Sequence, residues 1–206
     1  MSGPKSWYET AFDEDYPIYQ AAEEGWTPVQ ALSVETLLNL PARARILDMA
    51  CGYGRHSKLW REEGHAAESG PKGIWVRGDV RHLPFTENTF DAVASLFTSF
   101  GYFESRQEDG AALREALRVL GAGGGFYLDL KNPAHLRENF RETGSLTVGE
   151  AVIRERVRFT EAPGGPRVEM DRELTRPGRP PSRSRYSVRI YERGDLQSLL
   201  EEAGFV

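Results

Sequence analysis

The sequence predicts an α/β fold: a mostly parallel sheet with helices on both faces, plus an antiparallel β-meander inserted after the fifth strand. Three observations carry this expectation. Short apolar runs without clean alternation recur between helix-like segments up to about residue 130, as in strands covered on both faces. A glycine turn, Gly52-Tyr53-Gly54, joins the first such run to a helix. From Val152 onward the texture changes to period-two alternation, the mark of strands with one wet face.

Taken in order, residues 7–24 are rich in aromatics and acids, with Tyr8, Phe12, Tyr16 and Tyr19 at helical spacing. Pro17 limits that helix to short pieces. Residues 28–40 read as an amphipathic helix on Val29, Leu32, Leu37, Leu38 and Leu40. Residues 45–50 form the first strand, and a helix follows the glycine turn from Arg55 until Gly64 stops it. Ile74-Trp75-Val76 is a second clear strand and residues 90–96 a third. Residues 109–120 make a helix closed by Gly121-Ala122-Gly123-Gly124, and 125–130 a further strand. In the meander, Val168, Met170 and Leu174 alternate with Arg167, Glu169, Asp171 and Glu173, and Tyr186, Val188 and Ile190 alternate with Arg185, Ser187 and Arg189. Pro163-Gly164-Gly165-Pro166 and Pro177-Gly178-Arg179-Pro180-Pro181 mark its turns. Residues 194–203 form a last helix capped by Gly204.

The composition fits one globular domain with an elaboration: 206 residues, 39% hydrophobic and 28% charged. No apolar run is long enough for a transmembrane helix, and the first ten residues do not resemble a signal peptide. The single cysteine, Cys51, excludes an intramolecular disulfide and points to a reducing, cytoplasmic setting. A net charge of −5 argues against a general nucleic-acid binder. Residues 151–193 nevertheless hold eleven arginines against six acids. The plain explanation is a solvated sheet face with interleaved acids; the sharper one is a lid for an anionic substrate or a partner surface. His56, His65, His82 and His135 show no metal-ligand spacing, so no metal is expected.

The chemistry is concentrated at Ile46-Leu47-Asp48-Met49-Ala50-Cys51-Gly52-Tyr53-Gly54. Glycines there let backbone approach a ligand closely, and the following helix offers unpaired N–H groups. The pyrophosphate fingerprint of dinucleotide enzymes is broken at Ala50 and Ser57. Asp48 would also repel a diphosphate, and suits a cationic or hydroxyl-rich ligand better.

This segment resembles motif I of the class I S-adenosylmethionine-dependent methyltransferases, with Ala50 in place of the first glycine. Gly78-Asp79-Val80 with Leu83-Pro84-Phe85, Thr89-Phe90-Asp91-Ala92-Val93, and Leu117-Arg118-Val119-Leu120 before the glycines resemble three further motifs, in the family's order. The resemblance implies a Rossmann-like domain that binds S-adenosylmethionine, releases S-adenosylhomocysteine and methylates a small-molecule acceptor. It implies that Asp48, Ala50, Gly52 and Gly54 line the methionine moiety and that Arg55 pairs with its carboxylate. Asp79 would then bind the adenine amino group with Val80 against the ring. Leu96 and Phe97 flank the cofactor, Tyr16 covers the sulfonium, and Tyr102 meets the acceptor. The domain organisation that follows is a cofactor domain with an N-terminal helical cover (1–150), an antiparallel elaboration over the acceptor side (151–193), and a final helix returning to the core (194–206).

Two departures stand out. The second strand is a stub at Gly64-His65-Ala66-Ala67, so the ribose-binding acid is not identified; Glu68 is the one acid nearby. The chain also stops at Val206, where the family normally continues through two more strands. The expectation is that the sequence joins pieces of a longer chain, because a bare edge and a missing crossover would expose apolar surface. Rival functions are a non-catalytic partner-binding module on the same fold, an NAD(P)-dependent oxidoreductase and an RNA methyltransferase. Oligomeric state and acceptor stay open.

Overall fold

The computed structural model describes residues 7–21, 24–68 and 76–206. In chain order it contains helices α1 (Trp7–Ala11), α2 (Tyr16–Ala21) and α3 (Thr27–Leu37), strand β1 (Arg45–Asp48), helix α4 (Arg55–Glu62), strands β2 (Ala66–Glu68) and β3 (Phe90–Ser95), helix α5 (Arg106–Val119) and strand β4 (Leu120–Leu128). Helix α6 (Pro133–Glu138), strands β5 (Thr143–Val148), β6 (Ala151–Ala162), β7 (Gly165–Arg176) and β8 (Arg179–Arg189), and helix α7 (Arg193–Ala203) complete it. Packing divides the chain into two units, one around each sheet.

The first unit comprises residues 25–131 and 192–206. Its sheet has the order β2-β1-β3-β4, and every pair is parallel. Successive residues of a strand face opposite ways, and the core shows it. Ile46, Ala92 and Ala94 pack with Ala31 and Val34 of α3 and Trp60 of α4. Leu47 and Val93 pack with Ala116 and Val119 of α5. Helices therefore cover both faces, as the sequence predicts. Trp60 is fully buried, and its indole N–H donates to the Ala31 carbonyl at 3.3 Å, which satisfies its one polar atom. On β4 a Cβ at Gly125 would lie 2.7 Å from the Leu38 Cδ2, so a larger residue there would push the Leu38 side chain aside.

Several boundaries differ from expectation. The helix predicted over 109–120 begins at Arg106, because Ser105 and Glu108 form a reciprocal capping box. Gly121 to Gly124, expected as a turn, lie inside β4, with a register shift against Phe90 and Ala92. Of the strand expected at Ile74-Trp75-Val76, Ile74 and Trp75 lie outside the described residues, and Val76 to Asp79 carry no strand pairing. The stub does form a strand, β2, with Ala67 opposite Ile46.

The second unit holds α1, α2, α6 and the antiparallel sheet β5-β6-β7-β8. The sheet has one strand more than the alternation revealed, since β5 pairs with β6 from Thr143. One face buries Ile153, Val168, Met170, Leu174 and Val188, and Tyr19 of α2 packs onto Ile153 and Leu174. Arg172 lies on this face too. Its guanidinium is 5.0 Å from the rings of both Tyr19 and Tyr186, and its Nε donates to Glu155 at 2.6 Å. The opposite face is charged, and register explains its pairing. Asp171 is opposite Arg185 and Glu173 opposite Arg183, and both pairs form ion pairs. Arg158 reaches Glu169, directly opposite it, and Asp171 diagonally. Arg176 pairs with the buried Asp15 at 2.7 Å. Five of the eleven arginines in residues 151–193 are thus ion-paired, and only Arg176 uses an acid from outside that segment.

Candidate functional site

The candidate site lies at the carboxyl ends of β1, β3 and β4, where open α/β sheets place their ligands. Asp48 ends β1 and is 5% exposed. Its Oδ2 accepts a hydrogen bond from the Ser57 hydroxyl at 2.7 Å. Burial pushes this carboxyl up to about 6, although the Ser57 bonds and the Arg55 charge act to lower it. The chain then turns with Ala50 at φ 62°, Gly52 at φ 58° and Gly54 at φ 77°. Gly54 is the N-cap of α4, a left-handed position with no penalty for glycine. Ala50 holds the same conformation with a side chain, which costs about 1 kcal/mol.

A second strained turn faces this one. Phe97 and Thr98, just past β3, have φ of 56° and 55°. Asp129, just past β4, holds them: its Oδ2 accepts from the Phe97 N–H at 3.0 Å and its carbonyl from the Thr98 N–H at 3.0 Å. Two consecutive non-glycine residues in this region mark stored strain, which concentrates at functional sites.

Gln30 of α3 links the two turns. Its Nε2 donates to Asp129 Oδ2 at 3.2 Å, and its Oε1 faces His56 Nε2 at 3.0 Å and Arg55 at 3.4 Å. A carbonyl oxygen accepts only, so His56 carries its proton on Nε2. Burial, with help from the Arg55 charge, lowers His56 to about 3 and keeps it neutral. Arg55 itself donates to Thr27 Oγ1 at 2.8 Å and lies 4.8 Å over the Phe97 ring. The Cys51 thiol is pushed up to about 12 by burial and the Asp48 charge, so it is no thiolate nucleophile.

Asp79 is half-buried, and Arg81 holds it through its backbone N–H at 2.9 Å and its guanidinium at 2.6 Å. These bonds hold its carboxyl below the usual range. Arg81 also pairs with Glu108 in the first turn of α5 and lies 4.5 Å over Phe103. Since α5 follows β3, this anchors Asp79 toward the carboxyl end of the sheet.

Of the residues named from sequence, the structure gathers Asp48, Ala50, Gly52, Gly54, Arg55 and Phe97 around these turns. Leu96 is 3% exposed and packs into the α3–α4 core, and Val80 packs against the α5-side core. Tyr102 is half-buried in the segment after Phe97. Tyr16 belongs to the antiparallel unit, where it packs with Ile153 and Leu174 and its hydroxyl accepts from Gln20. Sequence reasoning missed Thr27, Gln30, Ser57 and Asp129. Asp129 had a signal, an acid closing an apolar strand just as Asp48 does; Gln30 had none. Among the described residues no cluster of three or more His, Cys, Asp or Glu could hold a metal. No helix among them is long and apolar enough to cross a membrane.

Residues 47–128 match the family model described as methyltransferase domain. A dTDP-3-amino-3,4,6-trideoxy-α-D-glucopyranose N,N-dimethyltransferase of Streptomyces venezuelae is 31% identical over 133 residues, 57% of this chain and 56% of that protein. Cypemycin N-terminal methyltransferase of a Streptomyces species is 27% identical over 71% of this chain and 65% of its own. The chain spans about half the length of several curated relatives it matches, 56%, 52% and 49% in three cases. Among solved structures, the sugar N-methyltransferase KedS8 from Streptoalloteichus superposes with a TM-score of 0.70 at 19% identity, over 99% of this chain and 90% of that one. DesVI of Streptomyces venezuelae gives 0.68 at 18%, over 93% and 90%. The family-model match takes in residues 47–128, 82 of the 206 residues, and the superpositions show that the chain shares the fold of these methyltransferases.

Proposed function

We propose that the chain binds S-adenosylmethionine at the carboxyl end of the parallel sheet and directs its methyl to a small-molecule acceptor. The observation that carries this is the buried Asp48 beside a left-handed turn, inside the stretch that matches the methyltransferase domain. The donor set fits such a ligand. A carboxylate enclosed with one hydroxyl donor gains from a cationic amino group, and the Ala50–Gly54 turn leaves room for close backbone contact. Asp79 takes the adenine amino group with Val80 beside the ring; Leu96, Phe97 and Arg55 complete the cofactor wall; Tyr102 is assigned to the acceptor.

The bound cofactor supplies an electrophilic methyl on sulfur. The chain's own contribution is positioning, because a neutral thioether leaves and little charge needs stabilising. Asp48 and Asp79 fix the two ends of the nucleoside amino acid. Phe97 and Thr98, clamped by Asp129, set the shape of the wall between them. Burial lowers His56 to about 3, so its ring is too weak a base to take a proton from an acceptor near neutral pH.

Sugar amines are the first acceptors to assay, because the N,N-dimethyltransferase of Streptomyces venezuelae and KedS8 are named for such chemistry. The ion-paired arginines of the antiparallel sheet support a small acceptor over nucleic acid. A cytoplasmic setting is inferred from the lone Cys51. Calorimetry with S-adenosylmethionine and S-adenosylhomocysteine tests the reading. Binding that weakens at least tenfold in Asp48→Asn is expected; no binding of either ligand at about 1 mM rejects it.

A further inference from the structure

Helices α3 and α4 meet at a series of places along which both residue numbers rise. Arg55 donates to Thr27 Oγ1 at 2.8 Å, His56 to Gln30 Oε1 at 3.0 Å, and Trp60 to the Ala31 carbonyl at 3.3 Å. Glu63, the C-cap of α4, then faces Glu35 in the last turn of α3. The two helices therefore run parallel. The first two contacts belong to the candidate site, and the last lies at the opposite end of the pair.

That far end is built from acids. The negative ends of two helix dipoles disfavour carboxylates there, and α3 has no basic residue in its last turn. Arg61, in the last turn of α4, is exposed and forms no ion pair among the described residues. Glu35 Oε1 is buried and receives no bond from any N–H or hydroxyl. Its Oε2 lies 3.8 Å from His65 Nε2. His65 Nδ1 accepts from the Ala44 N–H at 3.1 Å, so the ring proton sits on Nε2, toward Glu35. Glu63 and His65 are the titratable groups that face Glu35. Two carboxylates accept but cannot donate, so Glu35 and Glu63 can bond only through a proton. Burial, followed by the facing Glu63, pushes the Glu35 carboxyl up to about 7.

We infer that Glu35 and Glu63 share one proton, and that this bond is a pH-sensitive latch closing the far end of the α3–α4 pair. With the proton in place the two carboxyls bond, and one of the two charges at the helix ends is removed. Without it, two carboxylates face each other, and α3 is held to α4 by Trp60 and the contacts at the site end. The unfolded chain gives up this proton near the ordinary value of 4.5, the folded chain near 7. The stabilisation from the latch is thus complete below about 4.5 and is lost as pH rises through about 7.

The test compares the 206-residue chain with Glu35→Gln and Glu63→Gln. The Glu35→Gln amide keeps the shape of the protonated acid and donates to Glu63 at every pH. In urea melts, the ratio of folding constants, wild type over Glu35→Gln, should fall roughly 50-fold between pH 5 and pH 8. Asp48 and His56 titrate alike in both proteins, so the difference belongs to Glu35. NMR of the side-chain carboxyl carbons should show Glu35 titrating near 7 in wild type. In Glu63→Gln, whose amide donates to the charged form, the proton affinity of Glu35 should be at least tenfold weaker. A ratio that stays level from pH 5 to pH 8, a wild-type Glu35 that titrates near 4.5, or an unchanged Glu35 titration in Glu63→Gln overturns the inference.

Discussion

The Ser57 hydroxyl donates to Asp48 across 2.7 Å and joins the tip of β1 to the first turn of α4. The pair sits beside a second buried titratable group, His56, and the two shift in opposite senses in their effect on stability. Asp48 is raised from its ordinary value to about 6, so the native state holds a proton that the unfolded chain has lost. Its contribution falls as pH rises from about 4 to about 6 and stays low above that. His56 is lowered to about 3, so its contribution is complete above about 6.5 and fades as pH falls toward 3. In the wild type the two slopes offset one another between pH 4 and 6. Asp48→Asn should expose the His56 slope, and should raise stability at pH 7 by up to about 3 kcal/mol. Urea melts from pH 4 to pH 8 read this; a variant whose pH dependence matches wild type removes the argument.

Asp129 holds two strained residues through one oxygen and one carbonyl. Asp129→Ala deletes the bond to the Phe97 N–H and the bond from Gln30. A loss of about 1–3 kcal/mol is expected, with faster amide hydrogen exchange at Phe97 and Thr98 than at β3. Thr98→Gly should oppose it by relieving about 1 kcal/mol of left-handed strain. If Phe97 exchange is unchanged in Asp129→Ala, the clamp does not exist.

These turns also show what a sequence can and cannot reveal. Asp48, Gly52 and Gly54 were legible because strand tip, turn and helix start follow one another directly along the chain. The alternation of Val168, Met170 and Leu174 revealed β7 because one face is wet. The four-stranded extent of the antiparallel sheet was not legible, since β5 is exposed almost throughout and leaves no apolar alternation to find. Gln30 was invisible because its partners Asp129 and His56 are 99 and 26 residues away.

Gln30 serves one acceptor and two donors at once, which makes its substitutions informative. Gln30→Ala leaves the His56 N–H, Arg55 and Asp129 short of a partner, at a cost of about 1–3 kcal/mol. Gln30→Glu keeps the shape but places a second carboxylate about 3.2 Å from Asp129 Oδ2. Two carboxylates at that range do not both ionise readily, so this variant should lose stability relative to wild type as pH rises above about 5. Denaturant melts at pH 5 and pH 8 distinguish the two: equal deficits at both values for Gln30→Glu would show that Asp129 is not its neighbour in solution.

Arg81 grips Asp79 through three nitrogens and is itself held by Glu108 and Phe103. A carboxylate has about four acceptor sites, and the Arg81 Nε is shared between Oδ1 at 3.0 Å and Oδ2 at 3.1 Å, so an adenine amino group would enter by displacing one arm of that shared bond, in a fixed direction. Wild type should therefore bind S-adenosylhomocysteine at least tenfold more tightly than its inosine analogue, which has no amino group to donate. Asp79→Asn, whose amide can turn a donor toward the base, should abolish that preference. Arg81→Ala should reduce it while changing stability little, because the ion pair is about a third exposed and exposed pairs contribute weakly. Calorimetric titration of both ligands into the three proteins decides between roles. No preference in wild type removes Asp79 from the adenine site, whereas a wild-type preference that Arg81→Ala retains leaves Asp79 in place and denies Arg81 its positioning role.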